Sequence, residues 1–152
     1  MSQKNLNVIK KAIQEFFEKA NFEVDIESVK ESEDTVFVSL KMEEPQVLIG
    51  EGGQTLNELQ HLLKLIIKRK AESLFYLDLD INNYKKKKIE YLKELAVSTA
   101  NEVSLMRKEK ELPPMTAYER RVVHMELASR EDVMTESIGE EPERRLIIKP
   151  RP

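Results

Sequence analysis

Apolar residues recur along this chain with two alternating periods, and the switches between them mark the elements. Leu6, Ile9, Ile13, Phe16 and Ala20 fall on one helical face, which predicts a first helix from about Lys4 to Ala20. Phe22, Val24 and Ile26 then alternate with Glu23, Asp25 and Glu27, the pattern of a half-buried strand. A polar turn, Glu31 to Asp34, leads to a second strand with Val36, Val38, Leu40 and Met42 inward and Phe37 on the opposite face. Pro45 opens a short helix, Gln46 to Ile49, which glycines end. Thr55 and Glu58 have the spacing of a capping box for a helix that buries Leu56, Leu59, Leu63, Ile66 and Ile67. Phe75, Leu77, Leu79 and Ile81 face inward from a third strand.

Asn82-Asn83 punctuates the chain and is expected to cap a long helix, 84–108, with the stripe Ile89, Leu92, Ala96, Ala100, Val103 and Met106. Residues 109–114 leave that helix because Pro113-Pro114 cannot continue it. Thr116 and Glu119 form a second T-x-x-E box, opening a helix with Val122, Val123, Met125 and Leu127. The remainder reads as a hairpin, Val133–Ser137 and Arg144–Lys149, with 150–152 a frayed tail. The expected fold class is α+β, in two domains, 1–82 and 83–152, with the long helix able to pack on both.

Composition narrows the function classes. The 152 residues are 35% charged and 40% hydrophobic, as in a globular rather than a disordered chain. No apolar run approaches the ~20 residues needed to span a bilayer, and the N-terminus lacks the apolar core of a signal peptide, so the expected location is cytoplasmic. Without Cys there is no disulfide or thiolate metal site. Two histidines and no carboxylate–histidine constellation leave no catalytic residue, metal site or cofactor to name. The net charge of −3 is unevenly divided, −5 over residues 1–83 and +2 over 84–152. Any nucleic-acid site must therefore be local.

Two motifs are built to meet an anion. Gly50-Glu51-Gly52-Gly53 joins two helices; glycine admits left-handed angles and close approach, and the amides opening the following helix attract phosphate. Taken alone, the same residues fit a plain corner. Arg120 and His124, four apart, point to one side of a helix, with Arg121 beside them. Alone, that spacing equally fits an exposed arginine and a histidine bonded to a backbone carbonyl. Lys85–Lys88 place four cations at a helix N-terminus, where the dipole disfavours them, and suggest a landing area for RNA as readily as a solvated helix start. His61 reads as a boundary residue; Tyr76 and Tyr118 read as packing residues with the capacity to stack on bases.

The α-β-β-α-α-β order with G-x-x-G at the helix–helix junction resembles the type II KH domain, whose loop clamps single-stranded nucleic acid by its backbone. The middle positions, often basic in KH loops, are Glu51 and Gly52 here. The stretch Pro114–His124 and the terminal T-E-S-I-G-E-E-P-E-R-R of 135–145 resemble an R-x-x-x-H ("R-three-H") domain. Together, over residues 6–150, they resemble the Jag (SpoIIIJ-associated, KhpB-type) family of bacteria, which joins a KH domain to an R-x-x-x-H domain. Many members have an additional N-terminal domain that these residues do not supply. The resemblance implies non-catalytic binding of single-stranded RNA, with single-stranded DNA a second candidate, a role in post-transcriptional regulation, and a partner KH protein. Carried over, Gly50, Glu51, Gly52 and Gly53 would form the backbone clamp, with Ile49 and Leu56 candidate lining of a groove for bases. Arg120 and His124, with Arg121, would contact phosphate. The competing reading is a protein-interaction adaptor whose KH domain has lost its ligand.

Overall fold

The structure, a computed structural model, describes residues 2–71 and 74–152. It divides into two compact units, Met1–Lys85 and Lys86–Pro152.

In the first unit, α1 (Gln3–Lys19) is capped by Ser2 and followed by β1 (Asp25–Ser32) and β2 (Thr35–Lys41). Then come α2 (Gln46–Ile49), a 3-10 turn (Glu51–Gly53), α3 (Gln54–Lys68) and β3 (Tyr76–Ile81). The sheet order is β1-β2-β3, with β1 antiparallel and β3 parallel to β2. The helices bury Ile9, Ile13, Leu56, Leu63 and Ile67 against Val36, Val38, Leu40, Leu79 and Ile81. The first helix turns Phe17 rather than Phe16 fully inward, because Ile9, Ile13 and Phe17 keep strict i, i+4 spacing; Ala20 is exposed.

The first strand differs from its sequence expectation. It begins at Asp25 and continues through Ser32, so Glu31 and Ser32 are strand rather than turn. The register shifts between Ile26 and Ser28. This bulge lets Ile26 and Val29, three apart, both pack on the core, which breaks the alternation that sequence patterning relies on.

In the second unit lie most of α4 (Tyr84–Met106), β4 (Lys110–Glu111), α5 (Ala117–Leu127), β5 (Val133–Ile138) and β6 (Arg145–Pro150). Its sheet order is β4-β6-β5, antiparallel throughout. Leu92, Ala96, Ala100 and Val103 of α4 pack with Val123, Leu127, Val133, Leu146 and Ile148. Met106, expected inside, is exposed, and Thr99 is buried instead. The tail is anchored rather than frayed. The Arg151 amide donates to the Asp132 carbonyl at 3.0 Å, its Nε donates to Val133 O at 3.0 Å, and its carbonyl accepts from Arg107 Nη2 at 2.6 Å. Arg130 makes a two-point contact with Asp132, at 2.9 and 2.6 Å, and reaches Asn101 of α4. That guanidinium, with Ser104, holds the Asp132 carboxyl well below the usual carboxylate range.

Candidate nucleic-acid interface

Left-handed backbone makes the glycine turn. Gly50, Gly52 and Gly53 have φ of +73°, +61° and +83°. A Cβ on Gly50 would lie 2.2 Å from Thr55 Oγ1, and one on Gly53 2.9 Å from the Tyr84 ring, so packing as well as φ demands glycine at both. Gly52 differs: nothing lies within 4 Å of where its Cβ would be. The tip of the turn thus has open space beside it, with Glu51 exposed next to it.

Thr55 does not cap α3. Gly53 is the N-cap position, without a side-chain hydrogen bond, and Thr55 lies within the first turn. Glu58 instead accepts from Gln54 Nε2 one turn away, at 3.4 Å. The glycines start the helix two residues earlier than the T-x-x-E spacing implied, and no side chain caps its mouth. Ile49 and Leu56, expected as groove lining, are both buried core residues.

A shallow groove of about 570 Å³ runs between α3 and β3, lined by Asn57, Gln60, His61, Lys64, Tyr76 and Leu77 among others. β3 is an edge strand, so its outer backbone groups face this groove. Gln60 Oε1 accepts the Leu79 amide at 2.9 Å, and Asp80 Oδ1 accepts that of Ile81 at 2.9 Å. Tyr76, expected to pack, is 60% exposed, and Lys64 Nζ stands 4.9 Å from its ring centre. Lys64 carried no sequence signal, since its meeting with Tyr76 depends on how α3 lies against β3.

The four-lysine run is divided. Lys85 Nζ is engaged by Asp78 at 2.9 Å and Gln60 Oε1 at 2.6 Å, while Lys86 and Lys87 are exposed. The side chain serving the first turn of α4 is Asp80, which accepts the Lys85 amide at 3.0 Å. Asn82, expected as a cap, uses its side chain to pair with both backbone groups of Met42, at 2.9 and 2.8 Å.

In the second unit the box at Thr116 forms as the sequence predicts, with both reciprocal hydrogen bonds present. It sets the phase of α5 so that Tyr118, Arg121, His124 and Met125 are exposed. His124 Nδ1 is hydrogen-bonded to Thr135 Oγ1 of β5 at 2.6 Å. Arg121 makes no hydrogen bond or ion pair with the described residues. Arg120 is turned inward: its side chain is 11% exposed, Nη1 donates to Met115 O at 2.7 Å, and Nη2 lies 3.2 Å from Glu141 Oε1. Arg144 and Arg145 are engaged within the sheet and its hairpin, bonding Gly139 O and Glu111 respectively.

Comparison with known proteins agrees with this arrangement. The R-three-H domain family, defined by the same R-x-x-x-H signature, matches residues 90–150. The chain is 36% identical over 137 residues to the RNA-binding protein KhpB of Clostridium symbiosum, covering 90% of this chain and 62% of that protein. It is 35% identical over 123 residues to RNA-binding protein KhpB of Bacillus subtilis (strain 168), covering 80% and 59%. This chain belongs to the KhpB-type (Jag) family. It spans about three fifths of the length of these two KhpB relatives. Among the described residues no helix is long and apolar enough to cross a membrane, and no cluster of His, Asp or Glu is arranged to hold a metal ion.

Proposed function

We propose that this KhpB-type chain is a non-catalytic regulator that binds single-stranded RNA by its sugar-phosphate backbone. In this reading residues 1–82 are a type II KH domain and residues 83–152 the R-three-H domain. The order of elements, the β1-β2-β3 sheet with its parallel β2–β3 pair, and the glycine turn between α2 and α3 support the KH assignment. The observation that carries the proposal is the uncapped mouth of α3 beside the open face of Gly52. Phosphate oxygens approach the amides of Gly50 to Gly53 there, where the helix dipole favours them. Bases then lie along the α3–β3 groove, where Tyr76 offers a stacking face and Lys64 a cation. On α5 the exposed Arg121 and His124 face phosphate, and Tyr118 lies one turn before Arg121.

Retention of a labelled single-stranded RNA by the double variant E51D/G52D tests the first site. Aspartate tolerates left-handed angles, so the turn keeps its path while gaining charge at the phosphate position. Binding should fall markedly, and fall independently in R121A/H124A. Unchanged retention in both variants would sink the proposal.

A second reading, an adaptor that binds protein through the first unit, draws on the −5 charge of residues 1–83 and the carboxylate of Glu51. Partners that stay bound after nuclease treatment would favour it.

A further inference from the structure

Arg120 gives the R-x-x-x-H signature its first letter, yet it is the least accessible of the residues on α5 that the sequence marks for phosphate. Its guanidinium is shared between two segments. One is the Met115 carbonyl, just before the Thr116 cap; the other is Glu141, in the turn between β5 and β6. Glu141 is itself 62% exposed, so the pair closes from the solvent side over an arginine that is nearly buried. One turn further along α5, His124 is bonded to Thr135 of β5. The helix is therefore tied to the β5–β6 hairpin at two successive turns of the same face. Arg121, the next residue, is rotated away from these ties and has no partner among the described residues.

We infer that Arg120 is a positioning residue: it clamps the start of α5 to the hairpin turn, and so holds Arg121 and His124 where nucleic acid meets them. Nucleic acid touches Arg121 and His124, and Glu141 stays on Arg120 throughout. The inference rests on the proposed reading only in taking the outer face of α5 as the ligand face; the clamp itself is a property of the free chain. Arginine is required because its planar fork reaches two acceptors in different directions, whereas a lysine ammonium at the end of a flexible stem acts as a point charge.

Contact and clamp predict opposite results. Binding of the full chain to a fluorescein-labelled oligouridylate is measured across a salt series for wild type, R120K, R120Q, R121Q and E141Q. A lost phosphate contact flattens the plot of log affinity against log salt by about 0.7 for a single strand. R121Q should show that flattening. R120K and R120Q should both weaken binding severalfold with the slope unchanged, and E141Q should weaken it in the same way. Near-normal binding by R120K, a flattened slope in R120Q, or tighter binding with a steeper slope in E141Q would overturn the clamp. The last outcome would mean that the carboxylate merely occupies a phosphate position. If wild type binds no oligouridylate, the proposed function fails while the clamp is still decided by nitrogen-15 NMR of the free chain. Separate, slowly exchanging Nη signals for Arg120, with averaged signals for Arg121, support it; averaged signals for both refute it. Should R120Q not fold, E141Q, altered at an exposed side chain, carries the test.

Discussion

Single residues separate the two uses of glycine in the α2–α3 turn. Gly50 is required twice, by a φ of +73° and by the side chain of Thr55, which occupies the space where its Cβ would go. Gly52 is required by φ alone. G50A should therefore cost clearly more in urea unfolding than G52A, for which left-handed strain of about 1–2 kcal/mol is the whole penalty. Equal losses would show that the turn relaxes around the Gly50 methyl. Asp132 gives a pH-dependent prediction. Its carboxyl is lowered by the Arg130 guanidinium, so the stability it contributes is present above the ordinary carboxylate pKa and fades as pH falls toward the depressed folded value. Thermal melts of D132N should lie below wild type at neutral pH, and the gap should narrow as acid protonates the native carboxylate. A gap that persists undiminished in strong acid would assign the loss to something other than this charge.

At the level of elements, the same T-x-x-E spacing occurs twice and behaves differently. At Thr116 the chain enters α5 from an extended segment, so the side chain is free to meet the exposed amides. At Thr55 the glycines have already turned the backbone helical, and the cap position falls on Gly53. T116A should destabilise the protein by about 1 kcal/mol. E58A, which removes only an exposed i, i+4 hydrogen bond, should cost no more than roughly 0.5 kcal/mol. Chemical denaturation that ranks them the other way would contradict the assigned caps. Strand β1 shows a related limit. Its alternation is broken by a bulge whose cause lies in pairing with β2, so periodicity alone ended it too early.

For the molecule as a whole, a net charge of −3 and an acidic first unit leave little long-range attraction for a polyanion. If RNA is gripped as proposed, by amides in one unit and by Arg121 and His124 in the other, few counterions are released. The salt slope of wild-type binding should then be shallow, on the order of 1–2 in log–log terms. A slope several times steeper would point to the lysines of α4 as the main contacts instead.

Local chain chemistry was enough to set the order and type of the elements, the glycine turn, the cap of α5 and the family resemblance. Those depend on neighbours along the chain: apolar period, allowed φ and capping side chains act within a turn or two. Packing between distant segments settled which of the marked residues a ligand can reach. Ile49 and Leu56 became core because α2 and α3 fold over the sheet, and Lys85 was drawn to Asp78 and Gln60 across 7 and 25 residues of chain. Tyr76 and Lys64 met because an edge strand lies beside α3, and Arg120 turned inward because the hairpin turn brought Glu141 to it. A motif names the residue types, but burial and ion pairing are set by segments far away in sequence, whose approach no local pattern encodes.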